Sequence, residues 1–151
     1  MFLLRFAAAL LSLALLSACT TMKIEPIDTR HNLDQVCIKN CDQECFDADM
    51  LSVIKKGFER HGLSAQVYSG ELPSDCLYHL TYYCERSWDL AMYMHHAELR
   101  LFHDKNQIGY AEFHLKGEGG FSFTKYNSTE EKMNPVIDKL LSDYPLVSQT
   151  E

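Results

Sequence analysis

Cys76-Leu77-Tyr78-His79-Leu80-Thr81-Tyr82-Tyr83-Cys84 alternates without a break. Cys76, Tyr78, Leu80, Tyr82 and Cys84 fall on one side, and His79, Thr81 and Tyr83 on the other. A period of two marks a strand with one face on a core and the other open. Downstream, residues 90–103 and 107–116 read as the two arms of a hairpin turning at Lys105-Asn106. Ala97, Leu99 and Leu101 look inward on the first arm, and Ala111, Phe113 and Leu115 on the second. Two registers keep both inward sets together. One sets Glu98 against Glu112, a repulsive pair. The next sets Phe102 against Tyr110, Arg100 against Glu112 and Glu98 against His114, and opposed pairs of that kind contribute ~0.2–1 kcal/mol each. The second register is expected.

Upstream, Val36-Cys37-Ile38 and residues 65–68 are short strand candidates. Between them Asp47 or Asp49 can cap a helix that carries Met50, Leu51, Ile54 and Phe58 on one face. Lys55, Lys56 and Arg60 suit its negative end, and Gly62 supplies a left-handed stop. After the hairpin, Gly117-Glu118-Gly119-Gly120 is a bend, and Phe121-Ser122-Phe123-Thr124 alternates like a short extra strand. Ser128 and Glu131 have capping-box spacing. Pro135 argues against one long helix. The pattern predicts a single turn and then a second helix, with Asn134 as cap, Pro135 at its first position and Ile137, Leu140, Leu141 and Tyr144 inward. Two helices and five to six strands make the class α+β, in two layers.

The amino end sets location. A basic start at Arg5 and an apolar run over residues 6–16 lead to Leu16-Ser17-Ala18-Cys19. The run is too short to span a bilayer and has the flanks of a secretory signal. Hydrophobe, small, small, Cys is the pattern of a lipoprotein signal, cut before Cys19, whose thiol takes a diacylglyceryl group. Three acyl chains, palmitate among them, would hold the protein stably where one would not. Thr20, in place of Asp after that cysteine, favours the outer membrane, facing the periplasm. The expected division is a signal peptide over 1–18, a lipidated tether over 19–34, one domain over 35–146 and a disordered tail over 147–151.

Cleavage removes Arg5 and takes the formal charge from −7 to −8. That balance argues against nucleic acid or anionic head groups as partners. Besides the lipidated Cys19, five cysteines remain: Cys37, Cys41, Cys45, Cys76 and Cys84. In the oxidising periplasm they should pair, leaving one over, and no Cys-x-x-Cys recommends zinc instead. Cys76 and Cys84 sit at opposite ends of one strand, too far apart to bond to each other. If that strand lies parallel to the first, Cys37 meets Cys76, and Cys41 or Cys45 reaches Cys84. If it is antiparallel, Cys37 meets Cys84, and Cys76 falls to Cys41 or Cys45.

For chemistry, His79, His96 and His114 point outward with Glu98 and Glu112 among them, and Met92-Tyr93-Met94-His95-His96 carries groups that copper favours. The preferred reading assigns no metal and no cofactor; the alternative is a Cu or Zn site held by His79, His96 and His114. No Gly-x-Ser-x-Gly elbow or phosphate loop appears, so no catalytic residue is assigned and no enzyme is expected. Tyr83, His96, Phe102, Tyr110 and His114 instead form an aromatic face suited to a partner.

Val36-Cys37-Ile38, Gly57-Phe58-x-Arg60-His61-Gly62, Asp75-Cys76-x-Tyr78-x-Leu80-x-Tyr82, Arg86-Ser87-Trp88-Asp89, residues 96–101 and residues 132–138 together resemble a family of small Gram-negative outer-membrane lipoproteins. That family brings no known reaction with it. Cys41, Cys45 and Cys84 depart from its pattern. Its layout is similar to the TolB amino-terminal domain and other envelope modules. The resemblance implies two helices on one face of a mixed sheet and, numbering strands from Val36, the order 2-1-3-4-5. That placement is parallel, and it implies Cys37–Cys76, with a weaker claim for Cys41 or Cys45 with Cys84. The functional expectation is a non-catalytic binding or accessory module of the envelope. It is held to the membrane by its lipid, with an envelope protein or a cell-wall or glycolipid component as partner.

Overall fold

The computed structural model describes residues 20–41, 44–119 and 123–147. Six strands form one sheet: β1 (Thr20–Glu25), β2 (Gln35–Lys39), β3 (Ser64–Tyr68), β4 (Tyr78–Asp89), β5 (Ala91–His103) and β6 (Asn106–Leu115). Their spatial order is β1-β6-β5-β4-β2-β3. Two helices, α1 (Met50–Arg60) and α2 (Thr129–Leu140), complete an α+β module. β2 is parallel to both β3 and β4, whereas β4, β5, β6 and β1 are antiparallel neighbours. Six strands fall within the expected five to six, but the order departs from 2-1-3-4-5 because a further strand, β1, lies on the β6 edge.

That strand corrects the tether reading. β1 pairs with β6 from Thr20 opposite Leu115 to Glu25 opposite Tyr110, and Met22 and Ile24 pack against the core. Beyond it, Ile27 and Leu33 are buried. Ile27 fills the space beside Gly109, where an added Cβ would lie 2.6 Å from Ile27 Cγ1. Residues 20–34 therefore belong to the domain. The signal peptide and Cys19 lie outside the described residues. Val147, assigned to the tail, donates its N–H to the Arg60 carbonyl at 2.9 Å.

α1 forms where the apolar spacing places it, burying Met50, Val53, Ile54 and Phe58. Its cap residue Asp49 makes no side-chain cap bond; Asp47 Oδ1 accepts the Asp49 N–H instead, at 3.1 Å. Gly62, at φ +74°, turns the chain out. α2 departs from expectation by running unbroken through Pro135. An interior proline costs about 3 kcal/mol. Against that stand a complete capping box at Ser128 and Glu131 and the burial of Met133, Val136, Ile137 and Leu140. Asn134, expected as a cap, accepts from Arg60 Nη1 at 3.0 Å. Arg60 Nη2 also meets Asp138 Oδ1 at 2.7 Å, and His61 Nε2 meets the same oxygen at 3.2 Å, so the α1–α2 contact is clamped at one end. Residues 123–126 form a 3-10 turn rather than a strand; Phe121, Ser122 and Gly120 lie outside the described residues.

Two disulfides staple β4 and the segment leading into it to the elements alongside. Cys37 bonds to Cys76 with Cα atoms 6.0 Å apart, and Cys45 to Cys84 at 4.7 Å. The first follows from the parallel β2–β4 register, Cys37 opposite His79. Each closes a loop of 39 residues, for which chain entropy gives about 4 kcal/mol at most. Cys41 is free and buried, and burial pushes its thiol pKa up.

Non-reducing peptide mapping should return the Cys37–Cys76 and Cys45–Cys84 links, with Cys41 alkylated only after denaturation. A link through Cys41 would contradict the pairing. The helix crossing supplies a second test. An added Cβ at Gly57 would lie 2.8 Å from Ile137 Cγ2. Gly57→Ala gains about 1 kcal/mol of helix propensity. Overpacking a filled core costs about 1–3 kcal/mol. The urea midpoint should fall despite the better helix former.

Candidate functional site: the open face of the sheet

The side chains opposite the helices come from four strands. β4 contributes His79, Thr81 and Tyr83; β5 contributes His96, Glu98, Arg100 and Phe102; β6 contributes Tyr110, Glu112 and His114; β1 contributes Thr21, Lys23 and Glu25. Their partners on the other side, among them Leu80, Tyr82, Leu99, Leu101, Ala111 and Phe113, are in the core. The sequence alternation thus sorts the residues as the period of two requires.

The hairpin register is a correction. His96 stands opposite His114, Glu98 opposite Glu112 and Arg100 opposite Tyr110, the register with the repulsive glutamate pair and not the expected one. Its turn is tight: His103 pairs with Asn106 around Asp104 and Lys105, Asp104 having φ +52°. An irregularity between Leu101 and Phe102 then sets the pairing of everything beyond it. The two opposed glutamates are not left to repel each other. Arg100 Nη2 bonds to Glu98 Oε2. Tyr110 donates its hydroxyl to Glu112 Oε2 at 3.2 Å. His96 bridges them, with Nε2 3.2 Å from Glu98 Oε1 and Nδ1 3.8 Å from Glu112 Oε1. Burial, with Glu98 and Glu112 close by, pushes the Tyr110 pKa up to about 12.

Of the expected partner residues, Tyr83, His96, Tyr110 and His114 share this region. Tyr83 meets the His96 ring edge-on at 6.2 Å and donates its hydroxyl to Glu85 at 2.5 Å. Phe102 is stacked on His79 at 5.1 Å, towards the turn. His79 is therefore separate from the His96–His114 pair; its Nδ1 is buried without a hydrogen-bond partner, and burial lowers its pKa. The copper-like run of residues 92–96 is not brought together either. A bulge opposite Glu85 and Arg86 turns Tyr93 and Met94 into the core, while Met92 stays exposed.

Sequence reasoning missed a polar knot on the helix side. Lys132 is buried and donates from Nζ to the Met94 carbonyl at 2.9 Å and the Lys125 carbonyl at 2.5 Å. Thr129 donates to Asp47 Oδ2 at 2.7 Å, and Arg86 Nη1 lies 3.9 Å from that same oxygen. Both Thr129 and Lys132 fall on the apolar stripe of α2, which was the available signal. Burial, with repulsion from Arg86, lowers the Lys132 pKa to about 8. Its ammonium is held between two carbonyls, so it reads as a tie between α2 and β5. A cavity of about 360 Å³ lies elsewhere, beside the Cys37–Cys76 bridge between His31, Asp34, Asp75 and Tyr78.

What these features define is a small, disulfide-stapled α+β module with a half-buried aromatic and imidazole-carboxylate open face. No family model matches the sequence, and no curated protein matches it. Among solved structures it is similar to the PelC dodecamer of Paraburkholderia phytofirmans, with a TM-score of 0.55 and 10% identity over 86% of this chain and 100% of that one. A point variant of the same PelC, in a second crystal form, gives 0.55 and 10% over 85% of this chain and 100% of that one. At this identity the likeness shows the fold.

Lys132 supplies a pH test. Its unfolded pKa is 10.5 and its folded value about 8, so between them the unfolded chain binds more protons. Stability should rise with pH across about 8 to 10. Above about 10 the raised Tyr110 acts in the opposite sense, which closes the window. Relative to wild type, Lys132→Met should lose that rise in urea titrations at pH 7.5, 8.5 and 9.5. An unchanged slope would count against the assignment.

Proposed function

We propose that this chain is an outer-membrane lipoprotein facing the periplasm. It acts without catalysis, as a binding or accessory module of the envelope. The observation that best supports this is which end of the sheet carries the amino terminus. Thr20 stands opposite Leu115, and the next pair, Thr21 with His114, lies beside His96. Past that level β4 and β5 run on without β6 for about five residues, or roughly 15 Å, to a turn at Leu90 with φ +61°, with Lys125 and Tyr126 bonded to Asp89. Trp88, Leu90 and Met92 at this tip are 72%, 85% and 51% exposed. Phe46, whose carbonyl accepts from Arg86 at 3.5 Å, adds another exposed aromatic at that end. An apolar tip carrying a tryptophan suits a membrane interface. It lies on the side from which the proposed lipid anchor at Cys19 would leave the domain. No helix among the described residues is long and apolar enough to cross a membrane.

The open face is the proposed partner surface, with an envelope protein or a cell-wall or glycolipid component as occupant. The PelC of the structural comparison is a dodecamer, which makes a second copy of this chain the first protein partner to test, by native mass.

Cys19→Ala should leave an uncut or mis-cut precursor without acyl chains, read by mass spectrometry of the amino terminus and by membrane fractionation. A mutant still processed and still in the outer-membrane fraction would sink the reading. Trp88 is the only tryptophan in the sequence, so its emission reports on the tip alone. In the lipidated protein it should shift to the blue on reconstitution into phosphatidylethanolamine vesicles. Leu90→Asp should reduce the shift.

A further inference from the structure

The register that places His96 opposite His114 also assembles three metal-binding groups on the open face. We propose that His96, His114 and Glu112 form a site for a divalent transition-metal ion, with zinc the best geometric match. The donors are His96 Nδ1, His114 Nδ1 and Glu112 Oε1. This inference goes beyond the accessory reading and is independent of the lipid anchor.

Distances carry the first part of the argument. His96 Nδ1 and His114 Nδ1 are 3.3 Å apart, and His96 Nδ1 lies 3.8 Å from Glu112 Oε1. One ligand atom from each of the three residues lies within 4.8 Å of the others. Around a tetrahedral ion with bonds of about 2.0–2.1 Å, adjacent donor atoms stand about 3.3 Å apart. The imidazole pair already has that spacing, and the carboxylate, 3.8 Å from His96 Nδ1, has to close in on the pair to complete the set.

The surrounding groups carry the second part. A metal-bound histidine typically gives its other ring N–H to a carboxylate, which fixes the tautomer and turns the free lone pair towards the ion. His96 is arranged this way: Nε2 faces Glu98 Oε1 at 3.2 Å, leaving Nδ1 towards His114 and Glu112. Glu98 is itself held by Arg100. Glu112 is held likewise, with Tyr110 donating to Oε2 while Oε1 faces His96. At β1, Thr21 Oγ1 donates to the His114 carbonyl at 3.3 Å, which braces the edge of the trio. The His96 and Glu112 side chains are 15% and 28% exposed, enough for an ion to enter and too little for free rotation. Two imidazoles and one carboxylate leave a fourth position for water or for a ligand atom from a partner.

The set differs from the expected alternative of His79, His96 and His114. His79 stacks on Phe102 instead, and Glu112 takes the third place. The difference decides the test. Purified full-length protein in detergent, stripped with chelator, should bind one equivalent of Zn(II) from zinc chloride in calorimetric titration. A hundredfold excess over Kd should raise the melting temperature by about 5–10 °C, where magnesium raises it by none. Co(II) should give the visible bands of a four-coordinate site. His114→Ala and Glu112→Gln should each weaken zinc binding at least tenfold, whereas His79→Ala should bind as wild type does. Glu112→Gln keeps the side-chain shape, so loss of binding there cannot be misfolding. Absence of stoichiometric zinc binding would overturn the proposal. So would zinc binding that survives His114→Ala and Glu112→Gln, or that disappears with His79→Ala.

Discussion

The outer surface of this domain depends on where β5 and β6 are clamped together. Asp104 and Lys105 are the whole of the turn, and a left-handed Asp104 lets His103 and Asn106 pair directly. With the turn that short, the strands have little freedom to slip. Because the side-chain period is two, a shift by one residue on one strand would turn an apolar row outward. A shift of two keeps the core and changes only which outer residues meet. The observed choice between those core-compatible registers is made at the turn and its adjoining irregularity. The electrostatic consequence, two glutamates facing each other, is absorbed by Arg100, Tyr110 and His96.

The same logic holds on the other side of β4. β2 is hydrogen-bonded to a strand on each flank and buries Val36, Cys37 and Ile38 in succession, as a strand covered on both faces does. The two disulfides fall at either side of the run that begins at Cys76, and the second ties the chain leading into α1 to Cys84. Lys132 closes the remaining gap by tying α2 to the bulged part of β5. Each device fixes a place where the regular ladder stops: a loop, a bulge or a helix start.

Much of this was legible because it rests on periodicity. The 76–84 alternation, the inward sets of the hairpin and the apolar face of α1 are sums over many residues, and such sums are hard to overturn. What escaped rests on single contacts. β1 is an edge strand with only Met22 and Ile24 turned inward, a pattern too short to separate from a tether until its partner is known. Pro135 is a local cost, but the capping box and four buried apolar side chains of α2 outweigh it and the helix runs through. Opposed charges favour the other hairpin register, but neighbours two residues along the same strand neutralise the facing glutamates of the observed one. Arg100 to Glu98, His96 to Glu98 and Tyr110 to Glu112 are all of that kind. The other register would set Glu98 rather than His96 against His114.

β1 links the two proposals. It begins one residue after the proposed lipidated cysteine and meets β6 along its whole length, Thr21 against His114 and Lys23 against Glu112. The strand that would bear the pull of the anchor is also the strand lying against two of the three proposed ligands. Edge strands open more readily than central ones, because only one side of their ladder is paired. Opening β1 would free the His114 carbonyl from Thr21 and expose the flank of the trio, while leaving the His96–Glu98–Arg100 chain on β5 intact. An ion holding His96 to His114 would bind β5 to β6 and leave β1 as the part able to yield. With that ion in place, opening β1 would leave the His96–His114 contact between β5 and β6 closed.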